Sequence, residues 1–123
     1  MAKDMRITLL LDFYGELLTE KQREALELYY NDDLSLGEIG ADFGISRQGV
    51  RDNIKRAEAI LFEMEEKLGL AEKFSRIKTS LDSIRTQVDI IDQKNIKFYR
   101  SKDINESIKV ILSELDALDK LNE

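Results

Sequence analysis

The chain has 123 residues and contains no cysteine and no histidine. That excludes disulfide scaffolds, zinc fingers, thiolate nucleophiles and every triad or metal site built on imidazole, and no cofactor is expected. With 42% hydrophobic and 36% charged residues, no proline and a formal net charge of −6, the composition predicts a folded, largely helical protein and opposes generic polyanion binding.

The first predicted helix covers Ile7 to Leu18, where Ile7, Leu10, Leu11, Tyr14, Leu17 and Leu18 recur at the three- and four-residue spacing of one helical face. Its apolar run, Ile7 to Leu11, is too short for a signal-peptide core or a membrane span. A cytoplasmic chain without membrane insertion is therefore expected. Thr19 with Gln22 forms a capping-box pattern that starts a second helix, with Ala25, Leu26, Leu28, Tyr29 and Tyr30 as its apolar surface and Asn31-Asp32-Asp33 as its stop. Ser35 with Glu38 repeats the box for a short third helix burying Leu36, Ile39 and Phe43. Gly44 ends it in the left-handed conformation, and Ile45 is expected to drop into the core. Ser46 caps a fourth helix carrying Val50, Ile54, Ala57, Leu61, Met64 and Leu68, with Gly69 as its stop.

Beyond Gly69 the spacing tightens. Leu70, Phe74, Ile77, Leu81, Ile84, Val88 and Ile91 step by four and three without interruption, a three-heptad seam. A last helix is predicted from an Asp103 cap, with Ile104, Ile108, Ile111, Leu115 and Leu118 as a second seam. About ten connecting residues lie between the two. Expected domains are a helix-turn-helix at residues 1–69 and a C-terminal helical hairpin at 70–123. Both packing within one chain and pairing between chains satisfy such seams, and their length favours a homodimer.

Residues 35–58 assemble the parts of a helix-turn-helix: a capped helix, a glycine turn and a second helix with buried Val50 and Ile54. Gly40 and Ala41 are the small residues expected where the helices cross, and Ile45 the apolar pin of the turn. The outward start of the second helix would then present Ser46, Arg47, Gln48, Arg51, Lys55 and Arg56 to a nucleic acid, with Asp52 among them. Arg and Gln have bidentate base-reading geometry, and three free amides at the helix start would add a phosphate site. Residues 47–56 hold four cations against Asp52 alone. A second basic cluster, Lys94, Lys97, Arg100 and Lys102, is interleaved with Phe98 and Tyr99 in a pattern that suits an RNA loop, unless Phe98 caps the hairpin core. The paired carboxylates Asp32-Asp33 and Glu65-Glu66 read as turn and solvated face.

The stretch from Leu18 to Glu58 resembles region 4 of bacterial sigma factors in its plan of capped helix, acidic turn and helix-turn-helix. More closely, LLDFYGELLT, YYNDDLSLGEI, SRQGVRDNIKR and EEKLGL resemble the YlxM family of small bacterial proteins associated with the signal recognition particle. That resemblance covers residues 7 to 70. It implies an all-helical fold, a cytoplasmic setting beside the particle's GTPase, and contact with its RNA or protein. It carries Ser46, Arg47, Gln48, Asp52, Asn53, Lys55 and Arg56 as motif positions. Gly49 and Arg51 depart from it, standing where the family usually has alanine and tyrosine. The alternative function is a DNA-binding transcriptional regulator of the sigma region 4 type. A third class, a helical adaptor that binds only protein, uses the same fold. No catalytic residue is identified.

Overall fold

A computed structural model describes residues 1–121, which are mainly helical, with no strand among the described residues. The helices are α1 (Arg6–Tyr14), α2 (Glu20–Leu26), α3 (Leu36–Phe43), α4 (Arg47–Leu68), α5 (Leu70–Lys94) and α6 (Lys102–Leu121). They form two compact units, Met1–Ala71 and the chain from Glu72 onward.

In the first unit, α4 is the hub against which α1, α2 and α3 pack. Ile7, Leu26, Ile39, Val50, Ile54 and Leu61 are sealed from solvent, and each such side chain contributes about 1.5–3 kcal/mol of burial. Local chemistry fixes where the helices begin. Thr19 and Gln22, and likewise Ser35 and Glu38, exchange reciprocal side-chain to backbone bonds of 3.0–3.2 Å, so both capping boxes close as the spacing predicts. Ser46 Oγ accepts the Gly49 N–H at 3.0 Å and starts α4. Gly44 (φ 70) and Gly69 (φ 62) end α3 and α4 in the left-handed region that glycine adopts without strain.

Some boundaries differ from the periodicity. The first helix stops at Tyr14 and tightens into a 3-10 turn, Gly15–Leu17, before extended Leu18, which leaves Leu17 61% exposed. Leu68, in the last turn of α4, is also exposed. The α2 helix runs on as a π-helical turn, Glu27–Asn31, which rotates Tyr29 and Tyr30 toward the N-terminal segment. Tyr29 donates to the Met1 carbonyl (3.1 Å), and Tyr30 donates to Glu58 (3.0 Å) while accepting the Asp4 N–H (3.2 Å). Burial pushes the Tyr30 phenol up to about 12. Tyr14 donates to Glu65 (2.7 Å) and accepts the Leu70 N–H (3.1 Å), while Glu65 also accepts the Ala71 N–H (3.0 Å). Burial and the Glu65 carboxylate raise this phenol as well.

The second unit is an antiparallel hairpin, as the two seams predict, but its connector is not ten residues long. The α5 helix continues through a π-helical turn, Asn95–Tyr99, and only Arg100 and Ser101 separate it from α6. Arg100 is left-handed (φ 48). The buried Asn95 amide clamps the reversal, donating to the Ser101 carbonyl (3.0 Å) and accepting the Ser101 N–H (2.9 Å). This fixes Ser101 as the cap of α6, its Oγ accepting the Ile104 N–H at 3.2 Å. The predicted Asp103 cap is displaced two residues into the helix.

Candidate nucleic-acid interface

The crossing of α3 and α4 is built on Gly40. Its carbonyl accepts the N–H groups of both Gly44 and Ile45, the latter at 3.0 Å, which closes the turn. A methyl group on Gly40 would stand 2.7 Å from the Ile45 carbonyl oxygen, so the helices meet where only glycine fits. Ala41, the other small residue expected there, is exposed instead. Ile45 is not the buried pin either. Its side chain is 45% exposed and lies over Gly49, because the left-handed Gly44 aims the residue after it across the start of α4 rather than into the core. Val50 and Ile54 are buried as expected.

Ser46, Arg47, Gln48, Arg51, Lys55 and Arg56 are all exposed along the first turns of α4. They are not equally available. The Ser46 hydroxyl is occupied as the cap of the Gly49 amide, and the amides of Ser46, Arg47 and Gln48 are the three at the helix start without a partner among the described residues. Arg47 is folded back, its guanidinium lying where a methyl group on Gly37 would be, 2.9 Å from Nε. Gln48 donates to Asp52 at 2.9 Å, and Arg56 donates to the Asp52 carbonyl at 3.3 Å. Arg51 and Lys55 have no hydrogen-bond or ion-pair partner among the described residues. They are one helical turn apart, and they are the two cations free to meet a phosphate or a base without breaking a contact. Sequence reasoning missed Gly37 as the seat of Arg47. The available signal was a small residue in the first turn of α3, which must let the incoming start of α4 pass.

The second cluster is mostly helical rather than a loop. Lys94 closes α5, Lys97, Phe98 and Tyr99 lie in the π-helical turn, Arg100 makes the reversal and Lys102 opens α6. Phe98 and Tyr99 are 65% and 71% exposed, so Phe98 does not cap the hairpin core. Their rings meet edge to face with centroids 6.4 Å apart, and Lys97 Nζ stands 5.2 Å from the centre of the Phe98 ring. One face of Phe98 is thereby covered, and Tyr99 remains the more open stacking surface. These cations and those of α4 belong to different units.

No group of three or more acidic residues among those described is placed to hold a metal ion. No described helix is long and apolar enough to cross a membrane.

Residues 1–111 match the UPF0122 family, described as "Putative helix-turn-helix protein, YlxM / p13 like". The chain is 47% identical over 112 residues to a UPF0122 protein of Thermoanaerobacter sp. strain X514, covering 91% of this chain and 92% of that one. It is 44% identical over 119 residues to a UPF0122 protein of Halalkalibacterium halodurans, covering 97% and 99%. With a UPF0122 protein of Acetivibrio thermocellus it shares 54% identity over 92 residues, 75% and 79% of the two chains. A match over this length, at these identities, on a chain whose α3 and α4 form the helix-turn-helix, makes the protein a member of the UPF0122 family of YlxM / p13-like helix-turn-helix proteins.

Proposed function

We propose that this protein is a non-enzymatic accessory factor of the bacterial signal recognition particle pathway. It acts in the cytoplasm by binding the particle's RNA, its GTPase or both through the exposed face of α4, and it modulates the GTPase by differential affinity for that partner's states. The observation that carries the reading is the pair Arg51 and Lys55, exposed and unpaired on the outer side of a helix-turn-helix in an otherwise acidic unit. The resemblance to the YlxM family supports the particle as the setting. The basic turn of Lys94, Lys97, Arg100 and Lys102, with Tyr99 open for stacking, supports a supplementary RNA contact. A non-catalytic role is supported by the absence of histidine and cysteine and by carboxylates committed to caps and tyrosine partners.

A second reading, a DNA-binding regulator, is favoured by Arg47 and Gln48 standing exposed at the start of the second helix, the place from which such helices read bases. One experiment separates the two. Particle RNA and mixed-sequence duplex DNA are titrated against salt with wild type and with Arg51→Ala/Lys55→Ala. Preference for the RNA, with a salt slope lowered by about 2 in the double variant, supports the first reading. Preference for DNA supports the second, and an unchanged affinity and slope would discard this face for both. Incubation of the protein alone with GTP, ATP and RNA should give no hydrolysis. A rate that scales with protein concentration and survives repurification would refute the non-enzymatic assignment.

A further inference from the structure

The hairpin covers only half of its own seam. Along α5, Leu81, Val88 and Asn95 are buried at a spacing of seven, and along α6 the matching set is half-buried Ser101 with buried Ile108 and Leu115. The half-buried residues beside them are Arg85, Asp92, Asn105 and Leu112, each four positions after one of these. The two helices therefore meet through the first and fifth positions of the heptad, with Arg85 bridging to Asp116 (3.1 Å) and Asp119 (2.8 Å) along that side. The fourth heptad position is left out. Ile77, Ile84 and Ile91 on α5, and Ile104, Ile111 and Leu118 on α6, are 37–53% exposed. They are not scattered. Ile91, Ile104 and Ile111 line one open groove with Ser107, so the two rows converge on the same side of the hairpin.

We infer that this double row is the interface with a second copy of the same chain, whose hairpin completes a four-helix bundle. Three features favour a second copy over a different partner. The row is purely aliphatic and repeats at heptad spacing on both helices, so it is complementary to itself under a two-fold axis, the symmetry of most homodimers. The heptad positions flanking the middle of the row on the outer side are Ser80, Gln87 and Ser107, and the charges that border it are of both signs, Lys73 and Lys94 on α5 against Asp103 and Glu114 on α6, so the approach of two copies is not opposed by a single-sign field. The exposed fractions of the six side chains amount to roughly 450–500 Å² per copy, or about 1,000 Å² for two before flanking atoms are counted, which reaches the lower bound of a stable interface. The hairpin also needs the cover. Its only buried hydrophobic residues from Glu72 onward, among those described, are Leu81, Val88, Ile108 and Leu115, and a two-helix unit with so small a core is marginal alone.

The inference stands on the hairpin alone and does not depend on which polymer α4 contacts. The full chain, treated with nuclease so that nucleic acid cannot bridge copies, is examined by light scattering across the micromolar range. Wild type is expected at twice the chain mass, and Ile84→Glu/Ile111→Glu at the chain mass with its helical circular dichroism kept, association being weakened about a hundredfold or more by charges placed in the interface. Since the chain has no cysteine, Ile84→Cys and Thr86→Cys provide a second measurement should the glutamate variant unfold. A short bismaleimide should link two copies through position 84 and leave position 86, on the outer side of α5, unlinked. A monomeric wild type, an assembly larger than two copies, a folded glutamate variant that stays dimeric, or equal linking at 84 and 86 would each overturn the proposal.

Discussion

Replacing Gly40 by alanine tests the geometry of the helix-turn-helix most directly. In most helix interiors the change stabilises by about 1 kcal/mol, because alanine loses less backbone entropy and glycine is the poorer helix former. Here the added methyl would lie 2.7 Å from the Ile45 carbonyl oxygen, with Val50 Cγ2 at 3.5 Å behind it. The Ile45 backbone cannot yield cheaply, being held between left-handed Gly44 and the Ser46 cap. Overpacking of this kind costs about 1–3 kcal/mol. A net loss of up to about 2 kcal/mol is expected after the propensity gain is subtracted. Gly37→Ala, in the same helix, supplies the contrast. Its methyl would meet only the Arg47 guanidinium, the far end of a flexible side chain, at 2.9 Å. That substitution should be neutral or stabilising by up to about 1 kcal/mol, with Arg47 swung outward. Urea unfolding followed by tyrosine signal reads this unit selectively, since Tyr14, Tyr29 and Tyr30 belong to it and Tyr99 alone does not. A midpoint for Gly40→Ala above that of wild type, at unchanged m, would refute the close crossing.

Gly49→Ala should stabilise the same unit by about 0.5 kcal/mol, because the gain in helix propensity exceeds the cost of a 3.3 Å contact with the Ser46 hydroxyl; urea midpoints check it. The raised phenol of Tyr30 makes stability fall in alkali. The folded state holds its proton up to about 12 while an unfolded tyrosine releases it near pH 10, so stability is full below pH 10 and declines between pH 10 and 12. Tyr30→Phe should flatten that limb, as measured by thermal melts across the range. Asn95→Ala removes both bonds of the Ser101 clamp and leaves a partly buried N–H and carbonyl unpaired, at a cost of about 1–3 kcal/mol. Hydrogen exchange should then speed up in the first turn of α6, and unchanged protection would show that the clamp does not hold the reversal.

What the sequence disclosed was local. Thr19 with Gln22, Ser35 with Glu38, Ser46, Gly44 and Gly69 each act within one turn of their own position, and each does in the structure what its residue type and spacing predict. The misreadings are where a neighbour remote in sequence or a backbone irregularity decides. Asp103 has a capping pattern of its own, but Asn95, eight residues earlier, seizes Ser101 and starts the helix there. Neither π-helical turn has a sequence signature, and each moves the residues beyond it off the face that a regular helix would give. Ile45 was misjudged because apolar character says nothing of direction once a left-handed glycine precedes it. The heptad seams predicted the hairpin, but they repeat first and fourth positions alike. Only the packing reveals that the fourth remains uncovered.

The charge of the α4 face also changes meaning once its geometry is known. Counted from sequence, residues 47–56 carry a net charge of +3, yet Arg47 is seated on Gly37 and Arg56 on the Asp52 carbonyl. Neither contact neutralises a charge, but each would have to be given up for the guanidinium to turn to a phosphate, and Arg51 and Lys55 are the two cations with no such contact to lose. At about 0.9 per phosphate neutralised on a duplex, one such face gives a salt slope near 2, far below that of a protein making six to ten phosphate contacts. A chain of net charge −6 cannot make up the difference by long-range attraction. Tight binding through one copy would therefore have to come from shape or from a protein contact rather than from charge. Two copies joined through their hairpins and engaging one polymer together would bring the slope toward about 4 and add the gain of an intramolecular second contact. Measured on wild type and on Ile84→Glu/Ile111→Glu, the slope should fall from near 4 to near 2. A slope of 2 in both would mean that each copy binds alone, whatever the oligomer. A slope well above 4 would show that Arg47, Arg56 or the basic turn after α5 leaves its resting place to join the contact.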